Sequence, residues 1–165
     1  MTATSLEHAI PAGARIVLDT SAVLAYLDGS EAVSPVATTV IDHFVRSGRN
    51  PALISTMTVT ESLVRAFASG SDEAVLTIET FLAQFPNLSV VTTDFRVARE
   101  AARVRAATGL RTRDAIVLAT ALVSGAEVVV VNDTRWSVAL KVLGGPAVAC
   151  HLADHLPTTS KVIRA

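Results

Sequence analysis

A chain of 165 residues that is 50% hydrophobic and 18% charged has enough apolar material for one domain with a real core, and too little length for two comfortable ones. Its 14 basic and 15 acidic residues leave a formal net charge of −1, so bulk charge recruits neither nucleic acid nor a membrane surface, and any such attraction must be local. The longest apolar run, AIVLATALV at 115–123, is well below the roughly 18 residues of a membrane span, and the lone Cys150 excludes an internal disulfide.

In chain order, residues 1–14 show neither a basic n-region nor a continuous apolar stretch, so no secretory leader is expected. With a single cysteine, a cytoplasmic location is expected. These residues also lack periodicity and read as a peripheral extension. A β-branched run at 15–18 reads as a strand, followed by an apolar helix at 22–27 and a longer helix at 35–47. A second strand at 52–55 leads into helices at 59–68 and 72–84, and a third at 88–91 into helices at 95–108 and 113–124. The fourth strand, at 128–131, precedes a helix at 135–142; a fifth is expected at 147–151 and a tail at 157–165. Helix starts carry capping chemistry, as in SDE at 71–73 and TRD at 112–114, and several helices stop at glycine, among them Gly70 and Gly109. Because the strands are continuous apolar runs rather than alternations, both sheet faces should be covered. The spacing is that of βαβ units. The expected fold class is therefore three-layer α/β, a mainly parallel sheet of four to five strands between helices, formed as one domain over 15–156.

Most of the acids fall in turns or on polar helix faces, where a solvated carboxylate is ordinary. Four do not. Asp19 closes the first strand, Asp133 follows VVVVN at the end of the fourth, Glu61 lies early in the helix after the second, and Asp114 opens the apolar helix DAIVLATALV. In a parallel sheet all strand C-termini lie on one edge, and the helices that follow start there. The four acids therefore converge on one rim. Each has a plain structural alternative: a turn or N-cap for Asp19, a turn for Asp133, a first-turn acid complementing the helix dipole for Asp114, and a solvated helix position for Glu61. Together they are harder to dismiss. Two carboxylates about 5 Å apart repel by about 3 kcal/mol at an effective dielectric of about 20, so four of them call for protons or a cation.

An all-oxygen donor set suits a hard divalent ion, Mg²⁺ or Mn²⁺. Zinc is disfavoured by the single cysteine and by histidines, His8, His43, His151 and His155, that are scattered along the chain. Beside a phosphodiester, such a site can activate water and stabilise charge on the attacking and leaving oxygens, which is hydrolysis of nucleic acid. Local positive charge is available in FRVAREAARVRAATGLRTRD at 95–114. Arg96, Arg99 and Arg103 share a helix face opposite Val97, Ala101 and Val104. Arg111 and Arg113 immediately precede Asp114, at the proposed rim, where arginine can grip phosphate bidentately. The alternative for the arginine ridge is a solvated helix face.

Four stretches in this order, IVLDTSAVLAYL (16–27), the glutamate of TVTESLVR (58–65), LRTRDAIVLATAL (110–122) and VVVVNDTRW (128–136), resemble the acidic motifs of the PIN-domain ribonucleases. Their order and the chain's size resemble the VapC-type toxins of bacterial toxin–antitoxin pairs. The resemblance implies a parallel sheet between helices and a catalytic set of Asp19, Glu61, Asp114 and Asp133, with Asp19, Asp114 and Asp133 as ligands of Mg²⁺ or Mn²⁺. It implies cleavage of RNA to leave a 5′-phosphate and a 3′-hydroxyl. The hydroxyls of Thr20 and Ser21 fall where the family often places one to orient metal water or phosphate. It further implies a homodimer neutralised by a small antitoxin that covers the acidic site. The chain departs from the pattern at Val131, where many members carry Thr or Ser, and at Thr134 and Arg135, where another acid often follows. A second, tightly held metal is correspondingly less expected.

Rival readings fare less well. A phosphoacceptor receiver domain needs an acidic pair near the first strand and a lysine late in the sheet, whereas Lys141 and Lys161 are the only lysines and neither closes a strand. A haloacid-dehalogenase-type phosphatase wants D-x-D where this chain has DTS, and the glycine-rich turns of P-loop and Rossmann proteins are missing. The serious rival is a PIN-like module that binds RNA or a partner protein without cutting.

Overall fold

The computed structural model describes the backbone of residues 2–157 and the side chains of residues 6–157. Five strands, β1 (Ile16–Leu18), β2 (Ala52–Ser55), β3 (Leu88–Val91), β4 (Val128–Val131) and β5 (Val148–His151), form one sheet in the order β3-β2-β1-β4-β5. Every pairing is parallel, with Ile16 opposite both Ala52 and Val128. The helices are α1 (Thr2–Ala9), α2 (Thr20–Asp28), α3 (Ser34–Thr38), α4 (Thr56–Ser69), α5 (Asp72–Gln84), α6 (Phe95–Thr108), α7 (Thr112–Val123) and α8 (Arg135–Leu143).

Strand pleating sends alternate side chains to opposite faces, and here both faces find a core. Ile16, Leu18, Ile54, Val128 and Val130 pack with α1, α2, α3 and α5; Val17, Val129 and Val131 pack with α6, α7 and α8. The expected three-layer α/β architecture is the one observed. All four residues of β4 are buried, which is why its sequence is an unbroken valine run. Coverage fails only at the edges: Ser89 and Val90 of β3 and Val148 of β5 are exposed, because an outer strand has no neighbour on one side.

Two sequence expectations need correction. Residues 1–14, read as a peripheral extension, include α1, and Leu6 and Ile10 are buried in the first core. The fully buried Asn50 anchors the chain that follows, its amide donating to the Pro11 and Ala14 carbonyls at 2.8 and 2.9 Å. The helix expected at 35–47 is instead α3 continued as a π-helical segment, Thr39–Val45, with Arg46 N donating to Ile41 O at 2.9 Å. The C-terminal tail, apart from Pro157, lies outside the described residues.

Candidate active site

The chain leaves β1, builds outward through β2 to β3, then crosses to β4 on the other side of β1. That reversal is a switch point, and open α/β sheets bind ligands beyond the strand C-termini there. Asp19 and Asp133 follow the two strands that flank it. The Asp19 amide still donates to Val130 O at 3.0 Å, so the residue is held by the sheet. Its carboxylate accepts from the Ser21 amide at 3.1 Å and the Ser21 hydroxyl at 2.7 Å, capping α2. The cap explains why α2 begins at Thr20, two residues earlier than its apolar pattern suggests. Ser21 Oγ also accepts from the Asn132 amide at 3.0 Å. One hydroxyl thus ties the end of β1 to the end of β4.

Glu61 and Asp114 arrive from helices. Ser55 caps α4 by accepting from the Met57 amide at 3.2 Å, and the buried Thr20 hydroxyl donates to Thr58 Oγ1 at 3.3 Å, fixing α4 beside α2. Asp114 lies in the first turn of α7, where a carboxylate also faces the positive end of the helix dipole. Asp133 accepts from the Arg135 amide at 2.9 Å in a turn before α8. The turn and cap alternatives for Asp19, Asp114 and Asp133 are therefore real, and all three also face one cavity.

That cavity, about 440 Å³, is lined by Asp19, Thr20, Ser21, Glu61, Asp114 and Asp133 together with Leu24, Val64, Arg65, Arg113, Arg135 and Trp136. Of the expected phosphate-gripping arginines, Arg113 lines it and Arg111 does not; Arg111 is the exposed residue preceding α7. The 96/99/103 ridge is elsewhere, and Arg103 is committed to Glu100 through a fork with contacts of 2.6 to 3.1 Å. Val97, Ala101 and Val104 form the buried face of α6, as their spacing predicts. Sequence reasoning missed Arg65 and Arg135 as site residues. The available signals were slight: Arg65 stands four residues after Glu61 on one helix, and Arg135 two residues after Asp133.

Arginines meet the acids at close range. Arg113 Nη1 donates to Glu61 Oε1 at 2.9 Å, and its Nε stands 3.5 Å from Asp114 Oδ1. Arg135 forks Asp133, Nε donating to both carboxylate oxygens at 3.0 and 2.8 Å and Nη2 to Oδ2. Arg135 Nη2 is also 4.0 Å from Asp114 Oδ2. The consequences differ by residue. Burial pushes the Asp19 carboxyl above its ordinary range against the opposing bonds from Ser21, with Asp114 adding repulsion. Burial likewise raises Asp114, more strongly than Arg113 and Arg135 lower it. Asp133 is held below the ordinary range by its bond with Arg135.

The donor chemistry fits a hard divalent cation. Every candidate ligand is a carboxylate, and Asp114 Oδ2 is buried without a hydrogen-bond partner, a situation that costs about 1 to 3 kcal/mol or more for a charged group unless something satisfies it. Asp19, Asp114 and Asp133 are the residues that could hold the ion. As the side chains stand, no group of three His, Cys, Asp or Glu among the described residues is arranged to do so.

Known proteins share this fold. The structure of FitAcB from Neisseria gonorrhoeae superposes with a TM-score of 0.64 at 18% identity, covering 84% of this chain and 98% of that one. VapBC2 from Rickettsia felis, bound to a DNA fragment from its promoter, gives 0.63 at 12% identity, covering 82% and 97%. Mycobacterium tuberculosis VapC20, a Sarcin-Ricin loop cleaving toxin, gives 0.56 at 15% identity, covering 69% and 86%. No curated protein matches the sequence. No helix among the described residues is long and apolar enough to cross a membrane. The sequence profile of the PIN domain matches residues 16–140, more than half of the chain, and the protein belongs to the PIN domain family.

Proposed function

We propose that the chain is a metal-dependent endoribonuclease, the VapC-type toxin of a toxin–antitoxin pair. The observation that carries this reading is the gathering of Asp19, Glu61, Asp114 and Asp133 around one cavity at the switch point of the sheet. Family membership, a structural neighbour described as a toxin–antitoxin complex from Klebsiella pneumoniae and VapC20, described as a Sarcin-Ricin loop cleaving toxin, support it. Mg²⁺ or Mn²⁺ bound by Asp19, Asp114 and Asp133 would supply a nucleophilic water near neutral pH and charge stabilisation at the phosphate. Ser21 holds Asp19 in register with the end of β4 through its bond to the Asn132 amide. Arg65 and Arg113, both exposed in the cavity wall, orient the phosphodiester backbone. Water attacks phosphorus, the bond to the 3′ oxygen breaks, and the products are a 5′-phosphate and a 3′-hydroxyl. A small antitoxin would silence the enzyme by covering the acids, and the toxin would act as a homodimer.

One observation favours a second reading, a PIN module that binds RNA or protein without cutting: arginines already neutralise Glu61 and Asp133. Incubating RNA with the purified chain and Mn²⁺ separates the two. The nuclease releases 5′-phosphorylated fragments that vanish in EDTA, whereas the binding module retains RNA intact.

A further inference from the structure

We infer that Arg135 is a positioning residue of this site: its guanidinium occupies Asp133 as an internal cation and must release that carboxylate before Asp133 can ligate a divalent ion. The inference rests on the metal-dependent reading above. Both oxygens of Asp133 are engaged, Oδ1 by the Arg135 amide and Nε and Oδ2 by Nε and Nη2. A forked guanidinium and a metal ion draw on the same lone pairs, so full engagement of one weakens the other. The same guanidinium also lies within 4.0 Å of Asp114 Oδ2, the buried oxygen without a hydrogen-bond partner. A single positive charge therefore stands between two of the three candidate ligands.

The surroundings let this arrangement open without disturbing the fold. The Arg135 side chain is 54% exposed and that of Asp133 32%, so the fork can part into solvent. The adjoining Trp136 is fully buried in the second core, which keeps the start of α8 fixed while the arginine side chain moves. The other cavity arginines pair with acids other than Asp133: Arg113 with Glu61 and one side of Asp114, and Arg65 at 3.8 Å from Asp28.

Mn²⁺ binding, followed through the electron paramagnetic resonance signal of the free ion, tests the inference on the full chain. Arg135→Gln should tighten Mn²⁺ binding about fivefold or more, the order expected for loss of a well-formed but half-exposed competing pair. In an Asp133→Asn background the same substitution should give a smaller gain, because the forked partner is gone and only the 4.0 Å approach of Arg135 to Asp114 remains. Arg99→Gln, which removes an arginine that does not line the cavity, should stay within about twofold. Arg135→Lys, which keeps the charge and loses the fork, should recover at least part of the tightening. Unchanged or weaker Mn²⁺ binding in Arg135→Gln, or an equal gain in the Asp133→Asn background, overturns the role of Arg135 and leaves the nuclease reading standing. No Mn²⁺ binding by the wild type or any variant overturns both.

Discussion

Asp19 is buried, and side-chain exposure of the other three carboxylates rises from Asp114 at 15% through Glu61 at 25% to Asp133 at 32%; their chemistry changes along the same path. The two inner acids are desolvated, and burial raises both. The two outer ones each hold an arginine at hydrogen-bonding distance. The floor of the cavity therefore stores unfavourable carboxylate burial, while its mouth is already neutralised. Strain of this kind is common where stability is exchanged for activity.

Substitutions should separate floor from mouth. The largest effect is expected at the floor: Asp114→Asn or Asp19→Asn should reduce RNA cleavage by about 10³-fold or more, since a lost metal ligand forfeits several kcal/mol of transition-state stabilisation, while circular dichroism shows the fold intact. At the mouth, Glu61→Gln should cost less, about tenfold, because the side chain also serves to hold Arg113.

Stability should move the other way. Asp19→Asn should raise the stability of the folded chain at pH 7 by about 0.5 to 2 kcal/mol, or roughly 1–8 °C in Tm, since asparagine can keep the cap on the Ser21 amide. The sign follows from linkage. A carboxyl whose folded pKa is raised costs stability wherever it is ionised in the folded state, and that cost disappears as pH falls through the folded pKa and below the unfolded one near about 4. The gain from Asp19→Asn should therefore be full at neutral pH and lost in acid. An equal gain at pH 3 and pH 7 would show that burial of charge is not its source. The Asp133 carboxyl, lowered by Arg135, has the opposite linkage: its contribution is present above the unfolded pKa and fades as pH falls through the folded one.

The smallest effect concerns substrate capture. Replacing Arg65 and Arg113 with glutamine should weaken RNA binding and reduce the slope of log K against log salt by about 1 to 2, whereas the Arg99 and Arg103 pair, outside the cavity, should change it less. Equal slopes for the two pairs would remove the distinction between cavity and ridge.

Much of this was legible in the residues. Strand positions were readable because the inner strands are covered on both faces, so VVVV at 128–131 could not be mistaken for an alternating surface strand. The convergence of the acids followed from the rule that strand C-termini share an edge, and the cavity places all four on its wall. Helix α1 was not readable because its sequence, TATSLEHA, carries no periodic apolar stripe; among the described side chains, Leu6 within it and Ile10 just beyond are the buried ones. The chain that follows it is held from a distance by Asn50, through the Pro11 and Ala14 carbonyls. The pairings of Arg113 with Glu61 and of Ser21 with Asn132 span 52 and 111 residues, and no local pattern encodes them. Arg111 and Arg113 look equivalent in LRTRD, yet only Arg113 lines the cavity. Arg135 was visible as an oddity beside Asp133, but its fork depends on how α8 starts.

The most direct test of the account is to map the ends of RNA after incubation with the wild type and with Asp114→Asn, each in Mn²⁺ and in EDTA. New 5′-phosphate ends with the wild type in Mn²⁺ alone are the predicted result. Cleavage that persists undiminished in EDTA or in Asp114→Asn, or RNA retained uncut by the wild type, would contradict it.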